Sequence, residues 1–122
     1  METKELMIGD LVCLKDDIKC ELPLKIDGII TNDISLDGDG FLGGTEGLIR
    51  PIPITPEILE KNGWWFNTED MWYHDEVNFC IEKWNGKFQC YDINQIKLDS
   101  VHQLQHALRL CGLDELADNF KV

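Results

Sequence analysis

The chain has 122 residues, 43% of them hydrophobic, which is enough for one domain with its own core. Its 23 acidic and 11 basic residues give a formal net charge of −12, and this charge disfavours direct binding to nucleic acids or to anionic membranes. The N-terminal sequence METKELMIGD lacks the apolar run of a signal peptide, and no later segment approaches the roughly 20 apolar residues that span a membrane. We therefore expect a single acidic domain, 1–122, in the cytoplasm.

The first half of the chain, 1–54, has the pattern of short strands separated by turns. Its apolar runs are broken by Gly and Asp residues, beginning with Gly9 and Asp10, and Pro51 and Pro53 suit an edge or exit strand. The runs lie at 5–14, 22–30, 33–38 and 46–54. This pattern predicts a small, strongly bent antiparallel sheet within an α+β fold, and an SH3-like barrel would be one form of it.

The segment 32–47 is rich in Asp and Gly and invites comparison with a calcium-binding loop. With Asp33 at position 1 of an EF-hand loop, Gly44 falls at position 12, where a bidentate Glu belongs, and no helical pattern flanks the segment. Asp and Gly also tolerate the positive φ angles of turns. We therefore expect a hairpin loop here and not a calcium site.

The segment 55–63 has the start and stop signals of a short helix. Thr55 is a suitable N-cap, Pro56 suits the first helical position, and Gly63 suits the end of the helix. Ile54 and Leu59 occupy the two positions of a hydrophobic staple across the cap.

The segment 64–76 combines aromatic and acidic residues and has no readable period. Its large aromatic side chains allow two interpretations: they pack in the core, or they form a surface that binds a partner protein. Both interpretations stay open at this point. We name four of these residues as partner-binding candidates: Trp64, Trp65, Trp72 and Tyr73.

The segment 71–98 is predicted to form a sheet built on a hairpin that turns at Asn85–Gly86, with 95–98 as an additional strand. The register that follows pairs residues across the two hairpin strands: Trp84 with Lys87, Ile81 with Cys90, and Cys80 with Tyr91. Because side chains alternate between the faces of a strand, Cys80 and Cys90 point to opposite faces and cannot form a disulfide bond.

The chain contains five cysteines, an odd number, and their spacing matches no zinc-binding pattern. There is no C-x-x-C pair. We therefore expect reduced and mostly buried thiols, as is usual in a cytoplasmic protein.

The segment 100–111 is predicted to be a helix that packs by one face. Ser100 and Gln103 form a capping box at its start, and Gly112 ends it. The side chains expected in the core fall in one arc of a helical wheel: Val101, Leu104, Ala107, Leu108 and Cys111.

His102 and His106 lie four residues apart on the other side of this helix, where two imidazoles can share a metal ion. A zinc-protease motif would place a Glu directly after the first His, but Gln103 stands there and already has a capping role. Cys111 is expected on the opposite face, which leaves only His74 as a further ligand. We therefore expect solvated or partner-facing histidines, name both as partner-binding candidates, and expect no metal and no cofactor.

No set of residues in the sequence defines an enzyme. The chain has neither a G-x-S-x-G nucleophile elbow nor a cysteine-protease signature, and the Gly-rich segment is not followed by the G-K-[ST] of a phosphate-binding loop. Acidic pairs such as Glu69–Asp70 are expected to be solvated charges in loops. We name no catalytic residue.

Three segments make a specific pattern over nearly the whole chain: ELMIGDLV near the start, PIPITPEILEKNGW in the middle and VHQLQHALRLCG near the end. In this pattern the chain resembles a large group of small uncharacterised proteins from gut bacteria of the Bacteroides type and from their prophages and other mobile elements. In that group the last helix commonly carries a Val-His-x-Leu-Gln core, matched here by Val101, His102, Leu104 and Gln105. The resemblance implies a shared fold and a mobile-element setting, and it implies no activity.

These observations favour a non-enzymatic module that binds an unidentified protein partner through the aromatic segment or the polar side of the last helix. Two alternatives stay open. One is an acidic anti-defence protein that imitates nucleic acid and occupies a basic groove on a host enzyme. The other is a metal-dependent enzyme that uses His102 and His106.

Overall fold

The computed structural model describes residues 6–30, 33–37, 41–42, 49–67, 70–91 and 96–122. These residues form two antiparallel sheets and three short helices, which confirms the α+β class. The chain divides into two compact units, Met1–Ile52 and Pro53–Val122, each of which is described by itself. That the whole chain makes one domain stays a prediction. Among the described helices, none has the length and apolar character needed to cross a membrane.

The first unit is a sheet of five short strands in the order β4-β3-β2-β1-β5, with every neighbouring pair antiparallel. The strands are β1 (Leu11–Leu14), β2 (Leu24–Ile30), β3 (Asp33–Leu36), β4 (Phe41–Leu42) and β5 (Ile49–Arg50). The sheet curls into a half barrel, which confirms the strongly bent sheet. That this half barrel belongs to a closed, SH3-like barrel stays a prediction.

The core of this unit comes from alternate positions along the strands, as half-buried strands require. Its buried members are Leu6, Val12, Ile26, Ile34, Leu36 and Ile49. The predicted bend is present at Gly9, whose φ angle is +96° and whose amide donates to the carbonyl of Ile26.

The sequence pattern did not predict β4. This strand lies inside the expected hairpin loop 32–47 and pairs with β3 at Ile34–Leu42 and Ser35–Phe41. Most of that segment, including Gly44, lies outside the described residues, so the expected hairpin loop and the absence of a calcium site there stay predictions.

The second unit begins with helix α1 (Pro56–Lys61). Its predicted start is confirmed, because the hydroxyl of Thr55 accepts a hydrogen bond of 3.2 Å from the amide of Ile58. The stop is confirmed too, since Gly63 follows with a φ angle of +95°.

The second sheet has four antiparallel strands in the order β6-β7-β8-β9. They are β6 (Trp64–Phe66), β7 (Met71–His74), β8 (Ile81–Trp84) and β9 (Lys87–Cys90). The predicted hairpin register is confirmed in full, since Trp84 lies opposite Lys87, Ile81 opposite Cys90, and the amide of Tyr91 donates to the carbonyl of Cys80. The aromatic segment, unreadable from its pattern, supplies the two strands β6 and β7.

Residues 96–98 extend this sheet beyond β9, as predicted. The amide of Cys90 donates to the carbonyl of Ile96 over 2.8 Å, and the amide of Leu98 donates to the carbonyl of Phe88 over 3.0 Å. The turn between β8 and β9 has positive φ angles at both Asn85 (+52°) and Gly86 (+78°), as the tightest hairpin turns require.

The chain ends with helix α2 (Val101–Leu110) and the short helix α3 (Asp114–Asp118). The capping box at the start of α2 is confirmed, because the side-chain oxygen of Gln103 accepts from the amide of Ser100 over 3.1 Å. Gly112, with a φ angle of +76°, ends this helix as predicted.

The predicted faces of α2 are wrong at three residues, one of which, His102, is buried although it was expected on the polar side. Cys111, expected in the core, is exposed, and Gln105, expected on the polar side, is fully buried. Gln105 is buried because α3 packs against α2, and its side-chain amide donates to the carbonyl of Ala117 over 3.0 Å. Cys111 is the C-cap residue, beyond the last residue of the helix. A helix covered from a second direction buries a wider arc than its apolar stripe.

Candidate protein-interaction site

The side chains of the second sheet alternate between two faces, as they must along a pleated strand. One face is buried at Trp64, Trp72, Ile81 and Cys90. The opposite face carries several large side chains that are open to solvent, among them Trp65 and Trp84, and we call it the outer face. The register places the following residues on it: Trp65, Met71, Tyr73, Glu82, Trp84, Lys87 and Gln89. Tyr91 directly follows β9, and its amide donates to the carbonyl of Cys80, so the same alternation extends to it.

Trp65 and Tyr73 form an aromatic pair on the outer face. They lie opposite each other on β6 and β7, with ring centroids 5.4 Å apart. Trp65 is 46% exposed, and its indole nitrogen donates to a carboxylate oxygen of Asp75 over 2.9 Å. This hydrogen bond holds the indole in one orientation while its ring remains accessible, a preorganised arrangement for contact with a partner.

A polar pair occupies the middle of the outer face. The side-chain amide of Gln89 donates to a carboxylate oxygen of Glu82 over 3.0 Å, across β8 and β9. The other carboxylate oxygen of Glu82 and the carbonyl of the Gln89 amide are acceptors that a ligand donor can use. Next to this pair, Met71 lies opposite Glu82 and is buried.

Two further aromatic side chains extend the outer face along the hairpin. Trp84, the last residue of β8, is 61% exposed. Tyr91, the residue that follows β9, is 59% exposed. Lys87 lies opposite Trp84. Exposed Trp and Tyr side chains gathered on one face are typical of surfaces that bind other proteins, because each buries a large area at a small cost in conformational entropy.

The structure separates the four aromatic candidates that the sequence named together. Trp64 is 1% exposed and its indole nitrogen donates to the carbonyl of Phe79 over 3.0 Å, while Trp72 is 4% exposed and packs on Phe66. Core packing is therefore the role of these two. Trp65 and the half-buried Tyr73 lie on the outer face, where the partner-binding interpretation continues to apply.

The two histidine candidates are on α2, and the expectation that they are solvated or face a partner is wrong for His102. His102 is 6% exposed, and its Nδ1 atom is 3.0 Å from the hydroxyl oxygen of Ser100. His106 is half-buried, with its ring 5.6 Å from that of His102. The buried position of His102 removes it from any surface that a partner reaches.

The described residues contain no group of three or more His, Cys, Asp or Glu side chains close enough to hold a metal ion. His74, the remaining candidate ligand, is on β7. Its Nε2 atom is 2.8 Å from the carbonyl oxygen of Asn62, to which it donates, and its Nδ1 atom accepts from the amide of Glu76 over 3.1 Å.

Trp84 and Tyr91 were not among the residues named from the sequence, although the signal for them was present. The hairpin register fixes the alternation of faces through β8 and β9, so it places Trp84, Lys87, Gln89 and Tyr91 on one side. What the sequence lacked was the position of β6 and β7, whose residues Trp65 and Tyr73 complete the same face.

Comparisons of the chain with models of protein families, with curated proteins and with solved structures found no match. The resemblance to small proteins of Bacteroides-type bacteria and their mobile elements therefore stays a prediction, as does the cytoplasmic location.

Proposed function

We propose that this protein is a non-enzymatic interaction module whose outer face binds a basic segment of a partner protein. The observation that carries the proposal is the gathering of exposed aromatic side chains on one face of the second sheet, around the Glu82–Gln89 pair. The mobile-element or prophage setting that the sequence resemblance implies is part of the same proposal.

The aromatic side chains supply the anchors of the proposed interface. Trp65, Trp84 and Tyr91 are each close to half exposed or more, so a partner that covers them removes a large apolar area from water. Interface energy concentrates in a few such residues, and Trp and Tyr are prominent among them. The polar groups around them fit the rim that surrounds the anchors of a typical interface.

The negative charge of the protein favours a partner segment that carries positive charge. The chain carries a net charge of −12, the carboxylate of Asp75 accepts from Trp65, and Glu82 lies opposite Met71, two residues along β7 from Tyr73. Arg and Lys side chains bind carboxylates and also stack on the faces of Trp and Tyr rings. A segment that alternates basic and apolar residues would therefore satisfy both kinds of group.

The proposal is tested with a phage-displayed library of random peptides panned against the full chain. The enriched peptides are then tested on a variant carrying Trp65→Ala and Trp84→Ala, which removes two anchors from exposed positions. We expect enriched peptides that are rich in Arg or Lys and that bind the variant at least about tenfold more weakly, as loss of two anchors predicts. Leu110→Ala is the matched control, because Leu110 is 74% exposed and lies on α2.

Two results would contradict the proposal. Enriched peptides that bind the double variant as well as the original chain would show that the outer face is not the binding surface. Binding that is abolished by salt and unaffected by the Trp variants would instead favour the nucleic-acid mimic, since exposed charges are screened at high ionic strength. A protein partner captured from a lysate should show the same dependence on Trp65 and Trp84.

A further inference from the structure

Two cysteines of the first unit lie side by side, and neither belongs to the outer face. The Sγ atoms of Cys13, on β1, and Cys20, in the loop that follows, are 3.0 Å apart, and both residues are free thiols. A disulfide bond is about 2.05 Å long, so a displacement of about 1 Å would join these sulfurs. Cys13 is fully buried, whereas Cys20 is half-buried and reaches solvent.

The loop between the two cysteines is held by side-chain contacts to its backbone. The carboxylate of Asp17 accepts from the amides of Glu21 (3.0 Å) and Leu22 (2.9 Å). From β5, the guanidinium of Arg50 donates to the carbonyls of Asp17 and Ile18, the latter over 2.9 Å. These contacts fix the loop on both sides of Cys20, so the approach of its sulfur to Cys13 is built into the fold.

The backbone conformation of Cys20 also indicates that the fold imposes the approach of its sulfur to Cys13. Its φ angle is +52°, in the left-handed region that residues other than Gly, Asn and Asp rarely adopt. Strained backbone of this kind persists where the surrounding structure imposes it, and it is concentrated at functional sites. Here it aims the Cys20 side chain at the buried thiol of Cys13.

We propose that Cys13 and Cys20 form a modification site that is oxidised reversibly to a disulfide by low-molecular-weight disulfides such as oxidised glutathione. The thiolate of Cys20 attacks one sulfur of the oxidant, whose S–S bond breaks, and one glutathione thiolate leaves. The sulfur of Cys13 then gives up its proton and attacks Cys20 Sγ, and the second glutathione leaves as a thiolate. The protein loses two electrons, the oxidant gains them, and two molecules of reduced glutathione are formed.

The order of the two steps follows from accessibility and acidity. Burial, the hydrogen bond with Cys20 and the charge of a Cys20 thiolate raise the pKa of Cys13 from 9.0 to about 12. Cys13 therefore remains a thiol while Cys20 is free, and Cys20, which is the more accessible of the two, reacts first. Once Cys20 carries glutathione, its sulfur has no charge, so the contribution of a Cys20 thiolate to the raised pKa disappears and Cys13 becomes more acidic.

The experiment treats the folded full chain with oxidised glutathione, alkylates the remaining thiols and measures the intact mass. We expect Cys13 and Cys20 to be lost from the five cysteines open to alkylation, with no glutathione retained on either of them. Trypsin cuts after Lys15 and Lys19, which separates Cys13 from Cys20. The bridge is then identified as peptide 5–15 joined to peptide 20–25, and addition of dithiothreitol should separate the two.

Single variants distinguish the roles of the two thiols. Cys13→Ser should retain one glutathione on Cys20, because the second step is lost, and Cys20→Ser should leave Cys13 unmodified. Cys80→Ser is the matched control, since Cys80 is also half-buried, and it should still form the bridge. Five alkylated cysteines, glutathione that persists on Cys20 in the original chain, or a bridge between other cysteines would overturn the proposal. The peptide map of the original chain decides this even where a variant folds poorly.

Discussion

The side chain of Asn62 makes two hydrogen bonds to the backbone of Lys121, 59 residues further along the chain. Its Nδ2 atom donates to the carbonyl of Lys121 over 2.7 Å, and its Oδ1 atom accepts from the amide of Lys121 over 2.8 Å. The same Nδ2 atom donates to the carbonyl of Ile58 over 2.7 Å. One buried amide at the end of α1 therefore holds the C-terminal segment of the chain in place.

Replacement of Asn62 by Ala should destabilise the protein by about 1–3 kcal/mol, because backbone groups near Lys121 lose their partners. The measurement is urea unfolding followed by circular dichroism. Asn119→Ala is the control, since the Asn119 side chain donates within its own helix turn and is exposed. Equal loss of stability in the two variants would contradict the role given to Asn62.

Gly63→Ala should be more destabilising than Gly112→Ala. Both glycines follow a helix with positive φ angles, +95° and +76°, so each variant should lose about 1–2 kcal/mol from backbone strain. At Gly63 an added Cβ would also lie 2.5 Å from Nε2 of His74, whereas at Gly112 it would meet open space. The collision displaces the His74 hydrogen bond to Asn62 and should add about 1 kcal/mol or more. Urea unfolding of both variants measures the difference in unfolding free energy, and equal losses of stability would contradict the prediction.

Trp64→Ala and Trp65→Ala, at adjacent positions, should have very different effects. Removal of the buried Trp64 leaves a cavity and an unpaired carbonyl at Phe79, and should cost about 3–5 kcal/mol of unfolding free energy. Removal of the exposed Trp65 should cost no more than about 1 kcal/mol, from its contacts with Tyr73 and Asp75. Thermal and urea unfolding of the two variants check this, and similar losses would show that the faces of the sheet are misassigned.

The stability of the reduced protein should fall at alkaline pH because of Cys13. Its pKa is raised from 9.0 to about 12 in the folded chain, so the folded state holds this proton more tightly than the unfolded state does. The contribution to stability is complete below pH 9 and is lost as the pH rises from 9 through 12. Unfolding is measured with a phosphine reductant in the original chain and in Cys13→Ala. The expected result is a steeper decline in the original chain over this range, and parallel curves would contradict it.

Asp17→Ala should slow closure of the Cys13–Cys20 bridge relative to the first reaction at Cys20. The hydrogen bonds that Asp17 accepts from Leu22 and Glu21 hold its pKa below the ordinary 3.8, and they also fix the conformation of the turn that carries Cys20. Without them Cys20 remains accessible but spends less time beside Cys13. Quenched-flow mass spectrometry should therefore detect more of the mixed disulfide in the variant, and an unchanged ratio of the two rates would remove Asp17 as a positioning residue.

Much of the local structure could be predicted from the sequence. The helix cap at Thr55, the capping box at Ser100 and the Asn85–Gly86 turn each depend on a few neighbouring residues, and all three are confirmed. The register of one hairpin was also enough to exclude a bond between Cys80 and Cys90. The strand β4 was missed because it has only two residues, too few for any period to emerge.

The candidate site was predicted only in part, because burial depends on elements that are distant in sequence. Trp64 and Trp65 are the same residue type. Only their alternate positions on β6 place one in the core and the other on the outer face. His102 and Cys111 are a similar case. The polar side of α2 is buried at His102 and Gln105, and the end of its apolar stripe, Cys111, is exposed.

The sequence by itself determined the caps, the turn, the α+β class and the acidic character, since each follows from local chemistry or from composition. The tertiary structure alone decided which aromatic side chains share the outer face and which two of five thiols meet, because both depend on strand pairing and loop placement. A pattern of residue types states what each side chain is able to do. Which side chains are exposed and which groups are in contact is determined by the tertiary structure, and this decides the chemistry that the folded protein can carry out.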